Sequence, residues 1–308
     1  MSLPFLGPED IRGALSMKNA IDSLDEAFSG ALPSAPARSH LDVGGGDLLV
    51  MPAWGEGLGV GVKLVTVAPD NPSAGLPLIH GVYVLFDYES LRPSALLDGA
   101  SLTGIRTAAV SAVATRYLAR SDSTTLLVFG GGTQGLAHIE AMSEVLPNLD
   151  LVLCVSRTGA SSERLVARAM ELGYRAEVAP AEAVERADVV CACSTASSAL
   201  FDGALLRAGA HINAVGAYRP DARELDDATI ARAKVFVEVK EAALREAGDL
   251  RIPLESGVLA GSDVTELGDV AGGRAQGRTD VDEVTVFKSV GVAFEDLVVA
   301  AAAVRRST

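Results

Sequence analysis

The spacing of apolar and polar residues changes along the chain, and this change predicts two domains. "PEDIRGALSMKNAIDSLDEAFSGA", residues 8–31, places apolar side chains at helical spacing. Three apolar stretches with turn signals between them follow, "DLLVMPAW", "GVGVKLVTVAP" and "LIHGVYVLFDY", and each is typical of a strand. "SLTGIRTAAVSAVATRYLA" then predicts a capped helix. We therefore expect residues 1–118 to form a small α+β domain with a mostly antiparallel sheet.

From Thr124 onward, short apolar strands alternate with amphipathic helices. The predicted strands are "TTLLVFG", "LDLVLCVS", "RAEVAP", "DVVCACS", "AHINAVGA" and "AKVFVEV", and helices such as "GTQGLAHIEAMSEVL" and "SSERLVARAMELG" lie between them. This alternation is typical of parallel βαβ units, so residues 119–291 are predicted to form a doubly wound Rossmann domain. The last segment gives a further strand and then a helix, residues 292–308, which we expect to complete the first domain. The predicted fold class is α/β, with a smaller α+β domain.

Composition and charge exclude several classes of function. The formal net charge of −14 argues against binding to nucleic acid or to an anionic membrane surface. No apolar run approaches the roughly 18 residues that a membrane span needs, and the first residues lack the pattern of a signal peptide. The three cysteines fit neither a disulfide framework nor a zinc site, and the four histidines show no metal spacing. We expect a cytoplasmic protein without a bound metal.

The segment "LLVFGGGTQGLAH" carries the clearest functional motif. Gly130, Gly132 and Gly135 have the G-x-G-x-x-G spacing between a predicted strand and a predicted helix. In a Rossmann domain the first glycine permits the tight turn, the second lets the backbone approach a pyrophosphate, and the third lets the helix pack closely. Thr133 and Gln134 begin the helix, whose free N–H groups favour an anion. The sequence therefore predicts a dinucleotide site.

The residues after the next strand bear on the choice of cofactor. An NAD site usually has an acidic residue about 20 positions after the glycines, whereas this chain has Ser156, Arg157 and Thr158 there. A cation at this place pairs with a 2′-phosphate, so we expect NADP(H) to be preferred and NAD(H) to be possible. The alternative is an exposed arginine that is merely solvated. Ser194, Thr195 and Val215, which stand at the ends of two later strands, complete the candidate cofactor set.

Three cations of the first domain suggest a small anionic substrate. Lys63 lies inside an alternating apolar strand and shares its face with Gly61, so its ammonium is expected to point into a roomy space. A buried lysine needs an anionic partner or a lowered pKa, and either suits an active site. Arg106 opens a helix and could hold a carboxylate through its planar fork, and Arg38 lies in a loop. The alternatives are a lysine that snorkels to the rim and an arginine in a surface ion pair.

Other catalytic patterns have little support. No serine lies in a G-x-S-x-G elbow, and no pair of carboxylates stands out, so hydrolase functions are disfavoured.

At this point the sequence resembles the ornithine cyclodeaminase/mu-crystallin family along nearly its whole length. The resemblance is carried by "PAR", "VMPAW", "GVKLVTVAPDNP", "SLTGIRTAAVSAVATRYLA", "GGGTQGLAH", "GAHINAVGAYRPDARELDD" and "TVFKSVGVAFED". It implies that Arg38, Lys63 and Arg106 grip the carboxylate of the substrate, with Lys63 close to the reacting carbon–nitrogen centre. It also implies a homodimer built through the sheet of the first domain, and a substrate pocket near Met51 and Tyr218.

Two departures within the family favour a reductase over a cyclodeaminase. Tyr218 stands where cyclodeaminases carry a carboxylate, and Leu49 replaces a glutamate before "MP". The resemblance is greatest to the ketimine reductase branch, which implies hydride transfer to the C=N bond of Δ1-pyrroline-2-carboxylate or Δ1-piperideine-2-carboxylate. Lys63, or a water that it positions, would supply the proton. The alternatives are an amino-acid or N-alkyl-amino-acid dehydrogenase, an ornithine cyclodeaminase, and a non-catalytic, crystallin-like binder of NADP(H).

Overall fold

The computed structural model describes residues 3–307, the side chain of Pro72 aside. The chain divides into two compact units, Met1–Arg106 with Gly291–Thr308, and Thr107–Val290. The boundary between the units falls within one long helix, Gly99–Leu118.

A six-stranded sheet forms the centre of the first unit. Its elements in chain order are β1 (Phe5–Leu6), α1 (Pro8–Ala14), α2 (Met17–Ser29), β2 (Ser39–Asp42), β3 (Asp47–Gly55), β4 (Gly59–Val67), β5 (Ile79–Phe86), β6 (Pro93–Asp98) and α3 (Gly99–Leu118). The strand order is β1-β6-β5-β4-β3-β2, and every pair except β1 with β6 is antiparallel. The predicted antiparallel sheet is therefore present, with β1, β2 and β6 as strands that the sequence pattern did not show.

The predicted helix over residues 8–31 is two helices instead of one. Leu15 ends α1 in an extended conformation, and the side chain of Ser16 accepts a hydrogen bond from the backbone N–H of Asn19 to begin α2. The cap on Ser16 satisfies a backbone donor that a continuous helix would have bonded internally. Apolar spacing continued across the break, which is why the pattern alone merged the two helices.

The second unit contains a parallel sheet of eight strands. The further elements are β7 (Thr125–Phe129), α4 (Thr133–Val145), β8 (Leu151–Val155), α5 (Gly159–Glu171), β9 (Arg175–Val178), β10 (Val189–Ala192), β11 (His211–Ala214), α6 (Asp227–Arg232), β12 (Ala233–Val237), α7 (Lys240–Glu246), α8 (Gly248–Glu255), β13 (Val264–Glu266), α9 (Leu267–Ala271) and β14 (Val284–Lys288). The strand order is β13-β12-β14-β11-β10-β7-β8-β9. The chain builds outward from β7 in two directions, which confirms the predicted doubly wound, Rossmann-type fold.

The last helix, α10 (Ala293–Ser307), belongs to the first unit and packs against α1, α2, β3, β4 and β5. Phe28 and Phe294 meet edge to face, with ring centroids 5.3 Å apart. The first turn of α10 is buried although it contains Glu295 and Asp296. Across residues 3–307, none of the helices has the length and the hydropathy needed to cross a bilayer.

Candidate active site and dinucleotide loop

A row of side chains crosses the sheet of the first unit and includes two of the predicted substrate residues, Met51 and Lys63. Met51 pairs directly with Lys63, and Lys63 pairs with Tyr83. Arg38 lies one residue before β2, just outside its pairing with β3. Directly opposed residues point to the same face of a sheet. Arg38 is half-buried, whereas Lys63 is only 1% exposed.

The space above Gly61 is occupied, contrary to the expectation that it receives the Lys63 ammonium. A Cβ atom on Gly61 would collide with the hydroxyl oxygen of Tyr83, so this glycine lets the tyrosine ring lie across β4. The Tyr83 hydroxyl is fully buried and has no hydrogen-bond partner among the described residues. Burial, and the negative charge of Asp296, raise the pKa of Tyr83 well above its usual value, so this side chain stays neutral.

Lys63 instead meets a buried carboxylate. Its Nζ donates to Asp296 Oδ2 at 2.7 Å and to Thr103 Oγ1 at 3.3 Å. Burial lowers the pKa of Lys63 to about 8, against the opposing effect of Asp296. The two properties that the sequence suggested as alternatives, an anionic partner and a lowered pKa, therefore occur together. The alternative of a lysine that snorkels to the rim is wrong, because the side chain has almost no exposure.

Arg106 has a buried carboxylate partner of its own. Its Nη1 donates to Glu295 Oε2 at 2.8 Å, and its Nε lies 3.4 Å from Asp296 Oδ1. Gly291, at φ +72°, leaves the guanidinium room, since a Cβ atom there would collide with it. The alternative of a surface ion pair is wrong, because Arg106 is 6% exposed and Glu295 is fully buried.

Glu295 and Asp296 are buried partners of the candidate residues that sequence reasoning did not single out. They are consecutive residues in the first turn of α10, where acidic side chains are common for the unrelated reason that they favour the helix dipole. Their two charges balance those of Lys63 and Arg106, so the buried cluster is close to neutral. Such a cluster can accept one more carboxylate, since Thr103 and Asp296 occupy two of the three ammonium donors of Lys63 in the part of the chain described.

The glycine loop of the second unit has the geometry that its spacing predicts. Gly130 has φ +102°, and a Cβ atom there would collide with the backbone of Cys193. A Cβ atom on Gly135 would collide with the carbonyl oxygen of Gly130, so this glycine lets α4 pack against the turn. Gly132 has an ordinary φ of −88°, and a Cβ atom added to it would meet no described atom within 4 Å. Packing within the unit therefore requires glycine at the first and third positions. At the second position no packing contact requires glycine, but the absence of a side chain there would let a pyrophosphate come close to the backbone.

The N-terminus of α4 completes this loop. Gly132 is the N-cap, and Thr133 and Gln134 begin the first turn, at the end of the helix whose dipole favours an anion. Thr133 is exposed and Gln134 is half-buried.

The predicted 2′-phosphate residues follow β8. Ser156 is half-buried, and its hydroxyl donates to the carbonyl oxygen of Thr158 at 2.8 Å. Thr158 caps α5, and Arg157 between them is exposed. The structure adds Arg164, which donates to the carbonyl oxygen of Gly131 at 3.1 Å. Sequence reasoning missed Arg164 because an exposed arginine on a helix carries no distinguishing signal.

The remaining candidates follow β10 and β11, and the carboxylate of a buried glutamate bridges the two segments that carry them. Glu224 Oε1 accepts from the backbone N–H and the hydroxyl of Ser194, both at 2.7 Å. Its Oε2 accepts from the N–H groups of Gly216 and Ala217, at 2.7 and 3.2 Å. Val215 and Tyr218 are half-buried beside these groups, and Thr195 is exposed. Glu224 was not singled out from the sequence, although it lies within the quoted "RELDD".

The two buried histidines are structural. His138 bonds to Gln134 and Ser111, and His211 to Thr285 and Asn213. Burial lowers the pKa of His138 to about 4 and that of His211 to about 3. Both side chains are therefore neutral near pH 7.

Comparisons with known proteins agree with this description. The sequence model of the ornithine cyclodeaminase/mu-crystallin family matches residues 5–307. A Δ1-pyrroline-2-carboxylate reductase of Bacillus cereus is 42% identical over 258 residues, which are 82% of this chain and 79% of the relative.

Two solved structures resemble the chain over nearly its full length. Thermococcus litoralis Δ1-pyrroline-2-carboxylate reductase, in complex with NADH and L-proline, has a TM-score of 0.94 and 33% identity, and the match covers 99% of this chain and 97% of that one. An archaeal alanine dehydrogenase dimer with bound NAD also has a TM-score of 0.94, with 31% identity over 99% of this chain and 96% of that one.

Proposed function

Because the chain belongs to the ornithine cyclodeaminase/mu-crystallin family, we propose that it is an NAD(P)H-dependent reductase of cyclic imino acids. The substrates would be Δ1-pyrroline-2-carboxylate or Δ1-piperideine-2-carboxylate, and the products proline or pipecolate. The observation that carries this proposal is the buried set of Lys63, Arg106 and their two carboxylates, in a chain that also has a complete glycine loop. The named activity of the Bacillus cereus relative supports it.

The residues of the second unit fit a nicotinamide dinucleotide. Gly132 leaves room for a close backbone approach, and the dipole of α4 favours a phosphate at its N-terminus. Ser194, Thr195 and Val215 would lie along the rest of the cofactor. When bound in its reduced form, this cofactor supplies the hydride that reduces the C=N bond.

The first unit would bind and orient the substrate. Arg106 and Arg38 hold the carboxylate of the imino acid, and Lys63 lies close to the carbon–nitrogen centre. Met51, next to Lys63 on the buried face, gives an apolar contact for the ring. Tyr218 would contribute to the pocket without a negative charge, which removes the group that a cationic diamino acid side chain would need. This charge pattern disfavours ornithine cyclodeamination.

We further propose that NADP(H) is preferred over NAD(H). Arg157 is exposed directly after β8, where a Rossmann domain places the ribose 2′-position, and Arg164 contacts the glycine loop. Replacing Arg157 with Ala is expected to raise KM for NADPH about tenfold, because a charge-assisted contact is lost, and to leave KM for NADH nearly unchanged. Arg186, which forms an exposed ion pair with Glu177, provides a control substitution to Ala. Equal effects on both nucleotides would contradict this preference.

We also propose a homodimer formed through the sheet of the first unit. The face of this sheet that does not carry Lys63 is apolar yet only half-buried. It includes Val50, Val62, Leu64, Val82, Val84 and Leu96. Such a surface is typical of an interface. Sedimentation of the purified protein measures this directly, and a monomer at micromolar concentration would exclude the dimer. We place the enzyme in the cytoplasm, where its free thiols, Cys154, Cys191 and Cys193, would remain reduced.

Oxidation of NADPH and NADH with a panel of imines tests the main proposal. Δ1-Pyrroline-2-carboxylate and Δ1-piperideine-2-carboxylate are compared with pyruvate plus methylamine and with pyruvate plus ammonia, each against nucleotide alone. We expect cyclic imines to give the highest kcat/KM, and chromatography to identify proline or pipecolate. If the protein binds NADPH but oxidises it with no imine, the reductase function is wrong and a binding role remains.

A second candidate is an amino-acid dehydrogenase that reduces an open-chain imine. The similarity to an archaeal alanine dehydrogenase favours it. Higher turnover with pyruvate plus ammonia than with either cyclic imine would select this function. Ammonia release from ornithine in the presence of NAD would select the cyclodeaminase instead.

A further inference from the structure

We propose that Asp296 is a positioning residue of the reaction: its carboxylate keeps Lys63 in the ammonium form, and this ammonium gives the imine nitrogen its proton. The proposal rests on the reductase function proposed above. It assigns a distinct task to each of two neighbouring buried carboxylates, since Glu295 would fix Arg106 instead.

The contact between the two side chains is short and closed to solvent. Asp296 Oδ2 lies 2.7 Å from Lys63 Nζ, and the two side chains are 0% and 2% exposed. Thr103 Oγ1 accepts from the same nitrogen at 3.3 Å and donates to the carbonyl oxygen of Gly99 at 2.8 Å. Lys63 is therefore held from two sides, and its third donor remains for the substrate.

The groups around Lys63 decide which of them can hold its proton. From β3 it meets apolar Met51, and from β5 Tyr83, which stays neutral. Arg106 on α3 repels the ammonium, and the carboxylates on α10 attract it. Of these two carboxylates Asp296 attracts the ammonium more strongly, and it accepts a hydrogen bond from Nζ.

The balance between these effects places the pKa of Lys63 close to neutral pH. Burial lowers the pKa of Lys63 to about 8 even with Asp296 present, so the ammonium still predominates at pH 7. An acid whose pKa lies near the operating pH transfers its proton more readily than an ordinary lysine. Without the Asp296 charge, the pKa would fall further and neutral amine would predominate.

The proposed step balances in protons and electrons. One N–H bond of Lys63 breaks, its electron pair stays on Nζ, and a new N–H bond forms on the imine nitrogen. The imine carbon would take the hydride that a reduced nicotinamide supplies when bound, with two-electron oxidation of that cofactor, and the C=N bond would become a C–N single bond. Lys63 then regains a proton from water, and Asp296 exchanges none.

Glu295 provides the matched control for Asp296. It lies in the same helical turn, is equally buried, and loses the same charge on substitution by its amide. Its partner is Arg106, whose guanidinium keeps its proton at every pH used. We therefore expect Glu295→Gln to weaken substrate binding, and Asp296→Asn to change the titration of the reaction.

The first experiment is the pH profile of kcat/KM for the cyclic imine. In the wild type, activity is expected to fall as the pH rises through about 8, since the acid form of Lys63 is lost. In Asp296→Asn this fall should occur at least about one pH unit lower, with recovery in more acidic buffer. Glu295→Gln should keep the fall within about half a unit of the wild type and raise KM. A fall at one common pH in all three proteins overturns the proposal.

The second experiment measures Lys63 without turnover. The chain has only five lysines, so Cε resonances of 13C-labelled lysine can be followed by NMR, with Lys63→Met to assign the peak. We expect titration near pH 8 in the wild type and lower in Asp296→Asn. The same Lys63 titration in wild type and Asp296→Asn overturns the proposal, and titration of wild-type Lys63 below pH 7 overturns it even if the variants fail to fold.

The two experiments separate the two proposals. If Lys63 titrates as expected but no imine is reduced, the reductase function is wrong, and with it the donor role, while the coupling of Asp296 to Lys63 stands. If imines are reduced but Lys63 titrates at the same pH in the wild type and in Asp296→Asn, the reductase function stands and this inference is wrong.

Discussion

Replacing Glu224 with Gln alters a buried carboxylate that four donors share. The carboxylate joins the segment after β10 to the segment after β11, through Ser194 on one side and Gly216 and Ala217 on the other. The two segments carry four candidate residues, Ser194, Thr195, Val215 and Tyr218. We expect Glu224→Gln both to destabilise the second unit and to weaken cofactor binding.

The size of the effect follows from the donors. Gln presents an NH₂ group in place of one oxygen, and of the four donors only the Ser194 hydroxyl can turn to accept from it. The amide nitrogen therefore replaces Oε1, and the backbone N–H of Ser194 loses its acceptor. An unsatisfied buried N–H costs about 1–3 kcal/mol. Burial raises the pKa of Glu224, so the neutral amide also removes some desolvation cost, and we expect a net loss of about 2 kcal/mol.

Thermal unfolding and steady-state kinetics measure the two consequences. A loss of about 2 kcal/mol corresponds to a Tm lower by roughly 4–8 °C for a unit of this size. If about half of that loss is recovered when the cofactor orders the segments, KM for the nucleotide rises about fivefold. The kcat for the imine should change less than KM.

Asp226→Asn is the control for simple destabilisation. Asp226 caps α6 and accepts from the N–H groups of Gly203 and Thr229, so its amide also leaves one backbone donor unsatisfied. It makes no hydrogen bond to the segments that Glu224 joins. We expect a similar fall in Tm and an unchanged KM. If the two variants change KM equally, the role of Glu224 is structural only and the reasoning is refuted.

Three further outcomes are expected. Lys63→Ala should abolish imine reduction and leave the Kd for NADPH within about twofold, because the lysine lies in the other unit; loss of both would contradict its role. Gly135→Ala should raise the Kd for NADPH at least about tenfold, since its Cβ atom collides with Gly130, whereas Gly159→Ala on the next helix meets no described atom within 4 Å and should not. His138 has its pKa lowered from 6.5 to about 4, so its contribution to stability is complete above pH 6.5 and is lost as the pH falls toward 4. The loss is at most about 3 kcal/mol, and urea unfolding of His138→Gln should show a weaker acid dependence than the wild type.

The local pattern of apolar and turn residues predicted most of the fold. The strands β3, β4, β5, β7 and β8 lie where apolar runs and turn residues indicated them. Strands were missed where that pattern is weak. Pro93 opens β6, and β13 is only three residues long, so neither gives a recognisable run. The break at Ser16 had a signal, a good N-cap residue, but continuous apolar spacing concealed it.

The candidate site was predictable only where a residue is unusual for its own position. A lysine within an apolar strand is unusual, and so are three glycines between a strand and a helix. Asp296 and Glu224 are ordinary for their positions, since an acid in a first helical turn or in a polar loop is expected. Their importance comes from partners distant in the chain, and a single sequence does not show that pairing. Gly61 was misinterpreted for the same reason, because the ring that fills its space belongs to another strand.

The pairing of the buried charges also sets an order of events during synthesis. Lys63 is made 233 residues before Asp296, and Arg106 is made 189 residues before Glu295. Until α10 leaves the ribosome, the first unit lacks the carboxylates that pair with Lys63 on β4 and with Arg106 on α3, and burying a charge without its partner is strongly unfavourable. We therefore expect the part of the first unit that is translated early to stay incompletely folded while the second unit is translated. A ribosome that stalls between these points leaves a chain with an exposed apolar sheet, which chaperones would have to shield.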